Sequence, residues 1–133
     1  GKGWIVGWLI LLMRHTGRKS GKKYATPLQY EKIGETYCVG AGRGTQADWF
    51  RNVQADPQVE VAVGRRRFKA RAEPVTDPER VADFLACRLE RHPFMLGLMM
   101  KLHKLPMRPN RDQLLGLAQT TALVILHPQE EIA

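Results

Sequence analysis

The sequence predicts a small antiparallel β-barrel with helices packed on its outside, which is an α+β fold. Three observations lead to this prediction. Six short segments have the apolar or alternating pattern of strands, glycine-containing turns join several of them, and few segments have helical periodicity. A chain of 133 residues is long enough to bury a core of its own, so we expect one domain over residues 1–133.

Turn residues separate the six predicted strands along the chain. The first strand is apolar on both faces, which is typical of a central strand. The second contains Pro27, which has no backbone N–H and therefore indicates a sheet edge or a bulge. Val59, Val61 and Val63 alternate along the fourth strand, as expected for one buried face. The predicted strands are residues 8–15, 24–32, 36–41, 58–63, 67–74 and 121–127.

Four helical segments are predicted outside the barrel. Thr45 is the expected N-cap of the first, and Asp48 completes its capping box. Thr76 and Glu79 give the same signature at the start of the second. The predicted helices are residues 45–54, a segment beginning at residues 76–79, and residues 93–103 and 110–117. The third is rich in methionine, which indicates either a core-facing helix or a pliable cover over an apolar ligand.

The charge of the chain is strongly positive and unevenly distributed. There are 21 Lys and Arg against 13 Asp and Glu, which gives a net charge of +8. Residues 1–71 carry 14 basic and 5 acidic side chains, so the surplus belongs to the first half. Such a field attracts a phosphorylated cofactor, a nucleic acid or an acidic membrane surface. Charge alone leaves these three classes open.

Two basic loops that contain glycine indicate a site for an anionic ligand. The first is residues 16–21, Thr-Gly-Arg-Lys-Ser-Gly, and the second is residues 40–44, Gly-Ala-Gly-Arg-Gly. Backbone N–H groups in such turns can form an anion nest, and arginine adds a two-pronged donor. Trp49 follows the second loop and can wall a planar ring. The alternatives are solvated turns for the loops and a core aromatic for Trp49.

Other classes of site and segment have weaker signals. The four histidines are scattered and lack the spacing of a metal site, so we expect no metal and assign no catalytic residue. Residues 4–13 are apolar, but about ten residues are roughly half of what a membrane-spanning helix needs. No cleavage site for a signal peptide follows them. We therefore expect a cytoplasmic protein, with peripheral membrane contact near Trp4 and Trp8 as an alternative.

The order of the motifs resembles the deazaflavin-dependent nitroreductase family of actinobacteria and their relatives. The motifs are Thr-Gly-Arg-Lys-Ser-Gly, Thr-Pro-Leu, Ala-Gly-Arg-Gly, Asp-Trp-Phe-Arg-Asn, Ala-Asp-Pro and Val-Glu-Val. They cover about residues 11–72. The resemblance implies a split β-barrel like that of FMN-binding proteins and the 8-hydroxy-5-deazaflavin coenzyme F-420 as cofactor. It also implies hydride transfer to a quinone or nitroaromatic acceptor, and a homodimer.

The resemblance further implies nine cofactor-binding residues. They are Arg18, Lys19, Thr26, Pro27, Ala41, Gly42, Arg43, Trp49 and Asn52. The two cations of the first loop would hold the phosphate and the acidic tail, and the Thr-Pro pair would lie beside the ring. The Ala-Gly-Arg segment would run along the deazaflavin and its phosphate. The aromatic and amide side chains of the following helix would pack and hydrogen-bond near the cofactor.

Two other functions remain as alternatives. The barrel could bind FMN instead of F-420, although the cations of residues 18–23 favour F-420, because its tail is a polyglutamate. It could also be a basic barrel that binds nucleic acid without catalysis, which predicts exposed aromatics interleaved with cations on one strand face. Only Tyr24, Tyr30 and Phe68 are candidates, and Phe68 alternates onto the apolar face. We therefore expect no nucleic-acid partner.

Overall fold

A computed structural model describes residues 10–132 of the chain. Six antiparallel strands close into a barrel in the order β1-β2-β3-β6-β5-β4. The strands are β1 (Ile10–Thr16), β2 (Lys23–Ile33), β3 (Thr36–Ala41), β4 (Gln58–Val63), β5 (Arg66–Val75) and β6 (Ala122–Glu131). The predicted barrel is confirmed. The start of the predicted first strand and the apolar segment before it lie outside the described residues.

Alternate residues of the strands fill the interior of the barrel. Leu11 and Met13 of β1 are buried, as are Val59 and Val61 of β4. Phe68 of β5 is fully buried among them, as its place in the alternation predicts. This pattern is the period-two signature of strands that bury one face.

Four helices lie outside the strands. They are α1 (Asp48–Ala55), α2 (Pro78–Arg91), α3 (Pro93–Leu102) and α4 (Arg111–Ala118). The last three connect β5 to β6 and share a second apolar cluster with the outer face of the sheet, which includes Phe84, Leu96 and Leu123. Within residues 10–132, no helix combines the length and the apolar character needed to cross a bilayer.

The two predicted helix starts are wrong in their capping residues. Thr45 lies in a short 3-10 turn, and α1 begins only at Asp48, without a side-chain cap. The N-cap of α2 is Asp77, whose carboxylate accepts a hydrogen bond from the Glu79 amide at 3.3 Å. Proline at the first position of α2 makes the residue before it the cap, so Thr76 lies one position too early.

The barrel has a gap between β2 and β3. β2 pairs with β1 over Lys23–Gln29, but it pairs with β3 only from Tyr30 to Ile33. The first half of β2 therefore has a free edge, and Pro27 lies on it, as its missing N–H predicts. The end of β3 has an equivalent free edge beyond Val39. The candidate functional site occupies this gap.

Candidate functional site

A cavity of about 660 Å³ opens at the gap between β2 and β3. Its walls come from the β1–β2 turn, the free edge of β2, the end of β3 and helix α1. Eight of the nine predicted cofactor-binding residues line this cavity. They are Arg18, Lys19, Thr26, Ala41, Gly42, Arg43, Trp49 and Asn52. The volume falls within the range of small-molecule sites, about 300–1,000 Å³.

The ninth residue, Pro27, lines a second cavity of about 280 Å³. Gly40 and Gly42 border both cavities, so the two spaces adjoin at the end of β3. A Cβ atom built at Gly42 would meet nothing within 4 Å. The other walls of the second cavity are largely apolar and include Phe84, Leu85, Met99, Met100 and Leu117.

Arg18 ties the β1–β2 turn to helix α1. Its Nη1 donates to Oδ1 of Asn52 at 2.7 Å and to the Asp48 carbonyl at 3.3 Å. Its Nη2 lies 3.3 Å from the Asp48 carboxylate. The backbone N–H of Arg18 also donates to Oδ1 of Asn52, at 3.2 Å. Arg18 is therefore largely committed to holding the loop in place, and only part of its guanidinium is left for an anion.

The first basic loop offers a smaller anion nest than its sequence predicts. Gly17 N–H donates to the Lys22 carbonyl at 2.7 Å, and Gly21 N–H donates to the Gly17 carbonyl at 2.9 Å. Lys22 N–H donates to the Ser20 hydroxyl at 3.2 Å. Because Arg18 N–H is used as well, the amides of Lys19 and Ser20 are the loop donors that remain for a ligand.

Two cations lie at the cavity without partners. Lys19 and Arg43 are exposed, and neither side chain makes a salt bridge or hydrogen bond within residues 10–132. They come from opposite sides of the gap, one from the β1–β2 turn and one from the loop after β3. Cations placed in this way attract an anionic ligand from both sides.

Trp49 both packs against the barrel core and lines the cavity. Its ring is half-buried, lies edge-on to Phe50 with centroids 6.1 Å apart, and packs against the barrel core. It also lines the cavity, where it can wall a planar ligand.

His15, which was not predicted as a site residue, also lines the cavity. The residue is 4% exposed. Its Nε2 lies 2.8 Å from Oγ1 of Thr26, and its Nδ1 lies 3.1 Å from Nδ2 of Asn52. Burial lowers the pKa of its imidazole. The available signal was alternation, because Leu11, Met13 and His15 share the inward face of β1.

A buried carboxylate lies next to the second cavity. Glu31 of β2 is 4% exposed and lies 3.4 Å from Nε of Arg88 and 3.2 Å from Nη1 of Arg91. Arg88 Nη2 also donates to Oε1 of Gln29 at 3.2 Å. Arg88 and Gln29 both line the second cavity, so this network supplies two of its polar side chains.

The family model of F420H(2)-dependent quinone reductases matches residues 2–93. The chain belongs to this family. The deazaflavin-dependent family predicted from the motifs is thus confirmed.

One family relative is a curated quinone reductase of Mycobacterium tuberculosis with the same description. It is 36% identical over 74 residues, which are 52% of this chain and 50% of the relative. The chain thus spans about half the length of the first curated relatives it matches.

Two solved structures agree with the observed architecture. One, described as an F420-H2 dependent reductase, has a TM-score of 0.59 and 23% identity and covers 89% of this chain and 93% of its own. The other is described as a pyridoxamine 5'-phosphate oxidase from Listeria innocua. It has a TM-score of 0.63 and 9% identity, and covers 93% of this chain and 86% of its own. At these identities the likeness shows the fold alone, and the split barrel is confirmed.

Proposed function

We propose that this family member binds coenzyme F-420 in the gap cavity and reduces a quinone in the adjoining one. The observation that carries the proposal is the shared border at Gly40 and Gly42. A cavity flanked by cations and a largely apolar cavity share these two glycines as lining residues. This arrangement allows a planar cofactor and an apolar acceptor to touch.

The residues at the gap fit a phosphorylated cofactor with an acidic tail. Lys19 and Arg43 are exposed cations on the two sides of the cavity, and the amides of Lys19 and Ser20 add donors. Trp49 offers a planar wall, and the free edges of β2 and β3 offer backbone groups. When bound in reduced form, the coenzyme supplies a hydride and a proton, which together convert a quinone into a quinol.

This chemistry asks little of the side chains beyond placement. Lys19 and Arg43 bind the anionic groups, Trp49 restricts the ring, and the walls of both cavities exclude water. Asp48 is the one carboxylate among the residues that line the gap cavity, so no carboxylate pair lies there within residues 10–132. A reaction in which the cofactor carries the electrons is consistent with such a site.

The second cavity fits a quinone ring better than a charged substrate. Phe84, Met99 and Leu117 give it apolar walls, and methionine adapts to different ring substituents. Gln29 and Arg88 place an amide and a guanidinium at its edge, where they can donate to a quinone carbonyl. A nitroaromatic acceptor stays a second prediction, which the same turnover assay tests.

The first experiment is a fluorescence titration with oxidised F-420, run beside FMN at the same salt. We expect saturable binding of F-420, weakened about tenfold by Lys19→Ala or Arg43→Ala, because each loses a charge-assisted contact. Arg65→Ala is the matched control, because this exposed cation lies at the β4–β5 turn, away from the cavity. Absence of F-420 binding would overturn the proposal. FMN binding alone would favour the flavin alternative, and binding to neither would favour nucleic acid.

Quinone turnover tests the acceptor cavity separately. Met99→Ala enlarges the second cavity, so we expect a higher KM for the quinone and little change in F-420 affinity. Met95→Ala is the matched control on α3, since Met95 packs in the helical cluster and lines neither cavity. Equal KM values for the two variants would place the acceptor elsewhere.

Helix α3 supports peripheral contact with an acidic membrane, where apolar quinones dissolve. Phe94, Leu98 and Leu102 recur at four-residue spacing and are 70%, 47% and 84% exposed. Lys101 and Lys104 lie on either side of Leu102 in the sequence and are also exposed. Apolar side chains flanked by cations favour binding to anionic lipid. Co-sedimentation with anionic vesicles, lost when the three apolar residues are changed to serine and absent with neutral vesicles, is the expected result.

The cellular location and the assembly state remain predictions. A homodimer is predicted only by the resemblance, and the mass of the protein in solution tests it. Its location in the cytoplasm is tested by fractionation of cells that express it.

A further inference from the structure

We propose that His15 is a positioning residue that fixes the Thr26 hydroxyl as a hydrogen-bond donor to an acceptor atom of the bound cofactor. The last contact in this inference, from the Thr26 hydroxyl to the cofactor, rests on the proposed function. The rest of it follows from a directed chain of hydrogen bonds that begins at Arg18 and passes through Asn52 and His15 to Thr26.

The direction of the chain is set at Arg18. Both its backbone N–H and its guanidinium donate to the same Asn52 atom, at 3.2 and 2.7 Å, and neither group can accept. That atom must therefore be the amide oxygen of Asn52. The amide nitrogen consequently points the other way, toward Nδ1 of His15 at 3.1 Å.

Asn52 then selects the tautomer of His15. An amide nitrogen only donates, so Nδ1 of His15 must accept and must carry no hydrogen. In a neutral imidazole the hydrogen then sits on Nε2, which lies 2.8 Å from Oγ1 of Thr26. Burial favours the neutral ring, since His15 is 4% exposed and its pKa is lowered.

The last step determines what Thr26 can offer a ligand. Its oxygen accepts from Nε2 of His15, so its own hydrogen is free to point elsewhere. Thr26 lines the gap cavity and is only partly buried, and the cavity is the open side. The site therefore presents a free hydroxyl hydrogen, which suits a ring carbonyl or a phosphate oxygen.

The groups around His15 support a fixed ring. Tyr24 of β2 stacks on the imidazole with centroids 6.0 Å apart. Asn52 of α1 holds one ring nitrogen and Thr26 of β2 holds the other. Asn52 also accepts from Arg18, which is paired with Asp48. Contacts on three sides hold the imidazole in one rotamer, so the hydrogen bond at Nδ1 determines the one at Nε2.

The tautomer is measured by long-range ¹H–¹⁵N NMR on the ligand-free protein at neutral pH. We expect a pyridine-type Nδ1 and a pyrrole-type Nε2 for His15. Asn52→Asp replaces the donor by an acceptor, so Nδ1 gains a hydrogen and its resonance becomes pyrrole-type. A pyrrole-type Nδ1 in the unchanged protein would overturn the proposed direction of the hydrogen-bond chain, whether or not any cofactor binds.

The ligand end is measured by F-420 titration of two matched variants. Thr26→Val keeps the shape and removes the hydroxyl, so we expect about tenfold weaker binding, whereas Thr26→Ser keeps the donor and stays within about threefold. Asn52→Asp should resemble Thr26→Val, because the Thr26 hydrogen is then drawn to Nε2. Equal affinities for the Val and Ser variants would overturn the donor role. If the unchanged protein does not bind F-420, the proposed function fails, and so does the proposed hydrogen bond from Thr26 to the cofactor. The NMR result still decides the direction of the hydrogen-bond chain from Arg18 to Thr26.

Discussion

Glu31 on β2 and Arg88 on α2 lie 3.4 Å apart between Oε1 and Nε, although 57 residues separate them. Arg91 and His92 join them, with His92 Nε2 at 2.8 Å from the same carboxylate. This cluster fastens the barrel to the helical layer beside the second cavity. Glu31 therefore adds a polar tie to the apolar packing that holds α2 beside the proposed acceptor site.

Glu31→Gln should destabilise the protein markedly. It leaves Arg88, whose side chain is 12% exposed, without its counter-charge, and breaking one side of a buried pair costs about 3 kcal/mol. Urea unfolding measures the change. Glu35→Gln, in the exposed β2–β3 turn, is the control and should stay within about 0.5 kcal/mol. Similar values for the two variants would show that the cluster does not anchor α2.

Arg18 and Lys19 should separate stability from ligand binding. Arg18→Ala removes the contacts that tie the turn to α1, so the free energy of unfolding should fall by about 1–2 kcal/mol. Lys19→Ala removes an exposed cation and should change the free energy of unfolding by less than about 0.5 kcal/mol. It should still lower the affinity for F-420. Urea unfolding and F-420 titration of both variants check this separation. Unchanged stability in Arg18→Ala would show that the Arg18 contacts do not hold the turn to α1.

Gly44→Ala should be more costly than Gly64→Ala. Both glycines have left-handed backbone, with φ of +59° and +58°. That conformation alone costs a non-glycine residue about 1–2 kcal/mol. A Cβ at Gly44 would also lie 2.7 Å from the Thr120 carbonyl, whereas one at Gly64 meets nothing within 4 Å. Unfolding measurements on the two variants isolate the close contact, and equal losses would show that the Thr120 segment yields freely.

His15 should make stability fall as the pH drops below 6.5, the ordinary pKa of histidine. The folded-state pKa is lowered by burial, so the unfolded chain takes up the proton first and gains stability relative to the fold. The full contribution is present above pH 6.5 and is lost as pH falls toward the folded-state pKa, by at most ~1.4 kcal/mol per pH unit.

The measurement is urea unfolding at about pH 7.5 and about pH 5.5. His15→Gln should flatten the difference between the two conditions, whereas His103→Gln, at an exposed position on the end of α3, should leave it unchanged. An unchanged difference in His15→Gln would assign the pH dependence to other groups.

The barrel was predictable because strand patterns are local. Alternation of Val59, Val61 and Val63 and the glycine turns follow from backbone geometry, and all six strands were found. The caps were less predictable, because Thr45 and Thr76 both match a capping signature. In each case a neighbouring backbone feature displaced the start, a 3-10 turn in one and a proline in the other.

The site was predicted in part. The loop motifs located the cavity, since eight of the nine predicted residues line it, and their roles toward a cofactor stay a prediction. The sequence did not show that Arg18 is committed to Asn52, or that Glu31 meets Arg88, because both contacts join distant segments. Alternation along β1 predicts that the His15 side chain points inward, but it does not predict the hydrogen-bond partners of that side chain.

The gap between β2 and β3 also has a consequence for storage and expression. A barrel normally has no exposed strand edge, yet here two short edges face the cavity with unpaired backbone groups. Such edges are templates for strands of other molecules. Pro27 removes one donor from the β2 edge, and a bound planar ligand would cover the remainder. We therefore expect the empty protein to self-associate more readily on standing than the ligand-filled one, so that the proposed cofactor would also protect against aggregation.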